Sequence, residues 1–290
     1  MSRKSIIFRE MCAVSDAERD AGLTTPPGVE RFDDIQYGSD SQWNVLDVYR
    51  PKALSGKLPV IVSFHGGGWV YGDKNVYQFY CMELAKRGFA VVNYSYRLAP
   101  EYTYPAPYED TNDVFHWLIA NADRYGFDND NIFGVGDSAG ALGMAIYALI
   151  ITDRKYAEYY DFTVPEGLRL KGLGLCCGLY KAKDSKTVST LRDFLKKEDY
   201  PAMLERLNVV DMVGSSFPPC FLMTAVGDFL RDESVRFAER LGKAGVRYEY
   251  KLYGTEKEPL GHVFHCNVRL AEAAQANDDM CAFFRTLISE

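Results

Sequence analysis

Asn131-Ile132-Phe133-Gly134-Val135-Gly136 runs directly into Asp137-Ser138-Ala139-Gly140, and this stretch decides the reading of the chain. Its first six residues are apolar apart from Asn131 and include glycine at alternate positions, the look of a buried strand. Ala139–Thr152 (AGALGMAIYALIIT) is apolar on nearly every side and long enough for a helix buried all round. Between the two lies Gly136-Asp137-Ser138-Ala139-Gly140, a G-x-S-x-G pattern at a strand-to-helix turn. A turn this sharp leaves no room for side chains at its flanks, so glycines bracket the serine. It lifts the serine hydroxyl clear of the backbone. The helix N-terminus beneath it supplies partial positive charge where an oxyanion would form. Ser138 is therefore the candidate nucleophile.

The same alternation extends to both sides. Phe32–Tyr37 and Val45–Tyr49, separated by Gly38, Ser39 and Asp40, read as a hairpin. Leu58–Phe64 and Phe89–Tyr94 read as buried strands, with a helix near Val76–Lys86 between them. Tyr108–Arg124 reads as a helix before the elbow. After it come strands at Leu170–Cys177, Cys220–Val226 and Arg247–Tyr253, with helices at Glu233–Lys243 and Val268–Ile288. An antiparallel opening followed by strand-helix units implies a mixed sheet with helices on both faces. Tyr180–Phe217 breaks the rhythm. It is polar, rich in Lys and Asp, and reads as a small helical insertion over the end of the sheet.

Composition narrows the partners. The chain has 290 residues, 47% hydrophobic and 25% charged, with formal net charge -7. One domain spanning 1–290 with cap elements at about 1–30 and 180–217 is the expectation. No Lys/Arg run interrupts the acidic balance, which argues against nucleic acid or an anionic membrane. No apolar stretch approaches the length of a bilayer span. The seven cysteines form no C-x-x-C pair, so neither a zinc site nor a redox motif is supported. Free buried thiols and an N-terminus without an apolar signal core point to the cytoplasm. The expected partner is a small molecule, with no metal and no organic cofactor; a homodimer is left open.

A nucleophilic site also needs oxyanion donors, a base and an orienting acid. His65-Gly66-Gly67-Gly68-Trp69 follows the strand LPVIVSF, and three consecutive glycines suit a backbone that brings N–H groups to a substrate oxygen. Gly66 and Gly67 would donate from one side of the oxyanion and Ala139 from the other, with His65 orienting the loop. Of the four histidines, His116 falls in a helix before the nucleophile. His262, in the loop after the last strand, is preferred as base over His265, three residues on. Asp228 closes the strand CFLMTAV and is preferred as the orienting acid over Asp232, which falls in the next helix's first turn with an N-terminal capping role open to it. The order Ser138, Asp228, His262 differs from both common protease orders.

Together His65-Gly66-Gly67-Gly68, Tyr96-Arg97-Leu98-Ala99-Pro100-Glu101, Gly136-Asp137-Ser138-Ala139-Gly140 and Asp228-Phe229-Leu230-Arg231-Asp232-Glu233 resemble the hormone-sensitive-lipase-like branch of the α/β-hydrolases. The resemblance covers most of the chain from about Phe32. It implies the α/β-hydrolase fold: a mostly parallel eight-stranded sheet flanked by helices, with a small helical cap. It also implies serine carboxylesterase activity on short acyl esters, with sugar deacetylation among the chemistries of related enzymes. Carried over, the triad is Ser138, Asp228 and His262, and the oxyanion donors are Gly66, Gly67 and Ala139. Trp69 after the glycines is similar to the tryptophan of kynurenine formamidases, a neighbouring branch, which makes Trp69 a candidate substrate contact and an arylformamidase the alternative activity. A non-catalytic ligand-binding relative is the third reading.

Overall fold

The computed structural model describes residues 1–182, 189–198 and 200–288. Part of the expected insertion, 183–188 and 199, lies outside the described residues. The strands are β1 (Val29–Gln36), β2 (Val45–Pro51), β3 (Leu58–Phe64), β4 (Ala90–Tyr94), β5 (Phe127–Asp137), β6 (Gly172–Cys176), β7 (Cys220–Ala225) and β8 (Tyr248–Tyr253). The helices are α1 (Arg3–Asp20), α2 (Lys74–Lys86), α3 (Ala106–Ala120), the one-turn α4 (Ala122–Tyr125), α5 (Ala139–Thr152), α6 (Arg154–Ala157), α7 (Leu191–Phe194), α8 (Tyr200–Arg206), α9 (Arg231–Lys243) and α10 (Ala271–Ile288).

All eight strands join one sheet in the order β1-β2-β4-β3-β5-β6-β7-β8. The β1–β2 and β2–β4 pairings are antiparallel and the rest parallel, so the hairpin sits at one edge and every parallel strand ends on the same side. The pleat divides the core. In β3, Val60, Val62 and Phe64 join the layer containing α3 and α5, while Ile61 faces the layer containing α2 and α10. Helix α5 buries every residue from Ala139 to Ile150, which accounts for its apolar run.

Glycine is required where α5 leaves the sheet. A Cβ on Gly140 would stand 2.1 Å from the Phe64 carbonyl oxygen, so α5 could not approach β3 this closely with any other residue. Two element boundaries differ from expectation. The helix expected over Tyr108–Arg124 breaks at Asn121, whose side-chain amide and backbone N–H both turn back to the Trp117 carbonyl and end α3. The last helix begins at Ala271, because Phe264–Cys266 forms a separate 3-10 turn. All seven cysteines are free, six of them buried. Among the described residues no helix is long and apolar enough to cross a membrane.

Candidate active site

β5 delivers Ser138 to the C-terminal side of the sheet at φ 52° and ψ -118°, a backbone conformation that L residues rarely hold. Such strain costs on the order of 1–3 kcal/mol and persists only where neighbours enforce it. Here the end of β6 does so. The Ser138 N–H donates to the Cys176 carbonyl at 3.0 Å, and its own carbonyl accepts from the Leu179 N–H at 3.1 Å.

Asp228 follows β7 and is buried. One carboxylate oxygen lies 2.7 Å from His262 Nδ1 and also accepts the Leu230 N–H at 2.9 Å; the other accepts the Thr224 hydroxyl at 2.7 Å. Burial works against its charge, but the hydrogen bonds from His262, Leu230 and Thr224 prevail and hold its pKa below the usual carboxylate value. The Asp228–His262 pair expected from the sequence is thus assembled. The Ser138 hydroxyl has no hydrogen bond to another described residue. Two residues connect the pair to the cavity that Ser138 lines: Phe229, whose ring centroid is 4.4 Å from that of His262, and Leu230, whose N–H donates to Asp228.

That cavity measures about 60 Å³ and is walled by Phe8 of α1, Gly68, Ser138, Ala139, Leu179, Ser189, Thr190, Phe229 and Leu230. Its wall includes Gly68 but not Gly66. The Gly66 N–H, expected as an oxyanion donor, points the other way. It donates to Tyr77 Oη at 3.0 Å and to Asp137 Oδ1 at 3.2 Å, while Tyr77 Oη donates to Asp137 Oδ2 at 2.9 Å. The Gly67, Gly68 and Ala139 N–H groups make no such bond among the described residues. Gly67 has φ 105°, and a Cβ there would meet the Tyr71 carbonyl oxygen at 2.0 Å, so the chain can turn Gly68 toward the cavity only with glycine at 67.

Trp69 is also placed differently from expectation. It is wholly buried, stacked on Phe194 at 4.6 Å between centroids, and is absent from the cavity wall. The insertion that supplies Phe194 covers the indole. His65 holds the loop as expected: Nδ1 is 2.7 Å from the Gly66 carbonyl and the ring stacks on Tyr96 at 4.0 Å. Burial takes its pKa down to about 4, so it is neutral.

The rival residues have other surroundings. His265 is buried against Tyr80, and burial lowers its pKa to about 3. His116 bonds the Thr163 carbonyl on the surface, and Asp232 is exposed beside Arg231. Among the described residues two groups bring metal-ligand types together, Asp137/His265/Cys266 and Cys177/Asp228/His262, with donor atoms within 4.8 Å of one another. In both, the carboxylate is already engaged by the hydrogen bonds given above.

The cap contacts carry no signature in the sequence. Ser2 and Ser5 hydroxyls both donate to Asp193 of α7, tying the start of α1 to the insertion, and Phe8 follows within one turn. Only Gly68 had a signal, since it belongs to the same glycine run.

A family model described as the alpha/beta hydrolase fold matches residues 61–265. The chain is 30% identical over 257 residues to carboxylesterase NlhH of Mycobacterium tuberculosis, covering 78% of this chain and 75% of that one. It is 30% identical over 229 residues to versiconal hemiacetal acetate esterase of Dothistroma septosporum, covering 71% and 67%. Among solved structures, esterase B of Lactobacillus Rhamnosis superposes with a TM-score of 0.90 at 25% identity, over 98% of this chain and 94% of that one. Its tributyrin-phosphonate-inhibited form gives the same TM-score at 26% identity. The chain belongs to the α/β-hydrolase family, in its hormone-sensitive-lipase-like branch, and is a carboxylic ester hydrolase.

Proposed function

We propose that this chain hydrolyses short-chain carboxylic esters through an acyl-enzyme on Ser138. The observation that carries the reading is the hydrogen-bonded Asp228–His262 pair beside a serine held in a strained turn at the wall of a small cavity. His262 takes the Ser138 proton as the hydroxyl attacks the ester carbonyl. Asp228 fixes the imidazole tautomer and stabilises the imidazolium. The oxyanion rests on the Gly67, Gly68 and Ala139 amides, each worth about 3 kcal/mol in the transition state. The tetrahedral intermediate collapses, the alcohol leaves with the proton from His262, and water repeats the sequence on the acyl-enzyme. The Ser138–His262 hydrogen bond closes when substrate fills the site, as such bonds often do.

The small cavity, about 60 Å³ and walled by Phe8, Ala139, Leu179, Phe229 and Leu230, supports a short apolar acyl group. The tributyrin phosphonate on esterase B points to the same size class. Besides Ser138, the only polar side chains among the described wall residues are Ser189 and Thr190, which offers less to a sugar than to an apolar ester. α1 and the 180–217 insertion act as the cap, and the buried free thiols fit a reducing compartment.

A p-nitrophenyl ester series from acetate to dodecanoate tests this, with N-formylkynurenine run in parallel. The expected kcat/KM peaks at two to four acyl carbons and falls about tenfold or more by eight. A peak at long chains, or turnover of the formamide alone, overturns the reading.

A further inference from the structure

One large apolar side chain in this site is left facing water. Phe229 is 62% exposed, while Leu179 and Leu230, its neighbours in the cavity wall, are buried. A lone exposed phenyl on a surface needs no explanation. This one directly follows Asp228, packs its ring at 46° on His262, and shares a cavity wall with Ser138. The direction of the chemistry gives it a partner. His262 delivers a proton to the departing alcohol, so the leaving oxygen comes within hydrogen-bond reach of the imidazole. The carbon group on that oxygen then lies against whatever flanks the imidazole, and Phe229 offers an exposed apolar face there.

We propose that Phe229 is a specificity-determining residue that stacks on the alcohol part of the substrate and selects esters of flat aromatic alcohols. The inference rests on the esterase reading. It places the alcohol part of the substrate on the water-facing side of the site, against the exposed phenyl ring. An aromatic alcohol gains from offset or edge-on ring contact by about two- to tenfold beyond an aliphatic alcohol of equal bulk.

Three acetates separate ring chemistry from size: methyl, cyclohexylmethyl and benzyl acetate, the last two alike in bulk and leaving ability. The wild-type protein is expected to favour benzyl over cyclohexylmethyl acetate by about two- to tenfold in kcat/KM, chiefly through KM. Phe229→Leu keeps an apolar side chain at an exposed position. It is expected to bring that ratio toward one, with benzyl acetate losing several-fold more than methyl acetate. A wild-type ratio near one, a ratio unchanged in Phe229→Leu, or an equal fall for all three esters overturns the proposal; the last would mean that the ring supports His262 alone. No turnover of any acetate by the wild type would instead sink the esterase reading, and this inference with it.

Discussion

Replacing Asp137 by Asn is expected to make the protein more stable at neutral pH and less active. The carboxyl belongs to the elbow itself and is wholly buried, with only Tyr77 Oη and the Gly66 N–H as hydrogen-bond partners. Burial outweighs those bonds and raises its pKa from 3.8 to about 6. A folded pKa above the unfolded one means that the native state holds the proton more tightly. The stability gained from this is complete below about pH 4 and is lost as pH rises through about 6. At 1.36 kcal/mol per pH unit, the change across that window is about 3 kcal/mol. An amide at 137 has no charge to bury. The unfolding free energy of the variant relative to wild type should therefore climb by about 3 kcal/mol between pH 4 and pH 7.5. Loss of one hydrogen-bond acceptor offsets it by about 1 kcal/mol throughout. The net gain near neutrality, about 2 kcal/mol, corresponds to roughly 4 °C in Tm for a chain of this size. Denaturant melts of both proteins across pH 4 to 8 measure it. A difference that stays flat, or that shrinks as pH rises, refutes the reasoning. The same substitution loosens the hold on Gly66, so kcat/KM should fall about tenfold while stability rises.

Gly67→Ala should abolish most activity, by about a hundredfold or more, because a Cβ there would press on the Tyr71 carbonyl oxygen and turn the neighbouring amides off the oxyanion; steady-state kinetics on a folded variant, checked by circular dichroism, reads this. Asp228→Asn should lower kcat by about a thousandfold or more with little change in KM, since the imidazole loses its tautomer control. Trp69→Phe should cost about 1 kcal/mol of stability through the weakened stack on Phe194 and leave KM within about twofold; a several-fold rise in KM for short esters would return Trp69 to the substrate.

What was legible in the sequence is what local chemistry compels. Gly136 to Gly140 announces the elbow because no other residues fit between a buried strand and a helix that nearly touches β3. Asp228 and His262 are readable because parallel strands end on one side of the sheet, so a carboxylate just past β7 and an imidazole in the loop after β8 meet. The glycine run is legible as a loop beside the site, but not which of its amides is taken up elsewhere. Which amide turns inward depends on Asp137, 71 residues further on, and on Tyr77, which together claim the Gly66 N–H. Trp69 follows the same rule: its partner Phe194 comes from the insertion, so a tryptophan beside a glycine motif gives no sign of being buried. Phe8 and Thr190 were out of reach because the cap's contacts depend on tertiary packing and follow no periodic pattern. The break at Asn121 is local, but an Asn that bonds its own helix end looks the same in sequence as one facing water.

If the Ser138 hydroxyl is the nucleophile and His262 activates it, Ser138 is the residue that an electrophilic phosphorus reagent labels. Mass spectrometry after exposure to a fluorophosphonate tests it most directly. One adduct is expected, on the peptide carrying Ser138, absent in Ser138→Ala and formed far more slowly in His262→Ala. An adduct on another residue, or ester turnover persisting at wild-type rate in Ser138→Ala, would contradict the account.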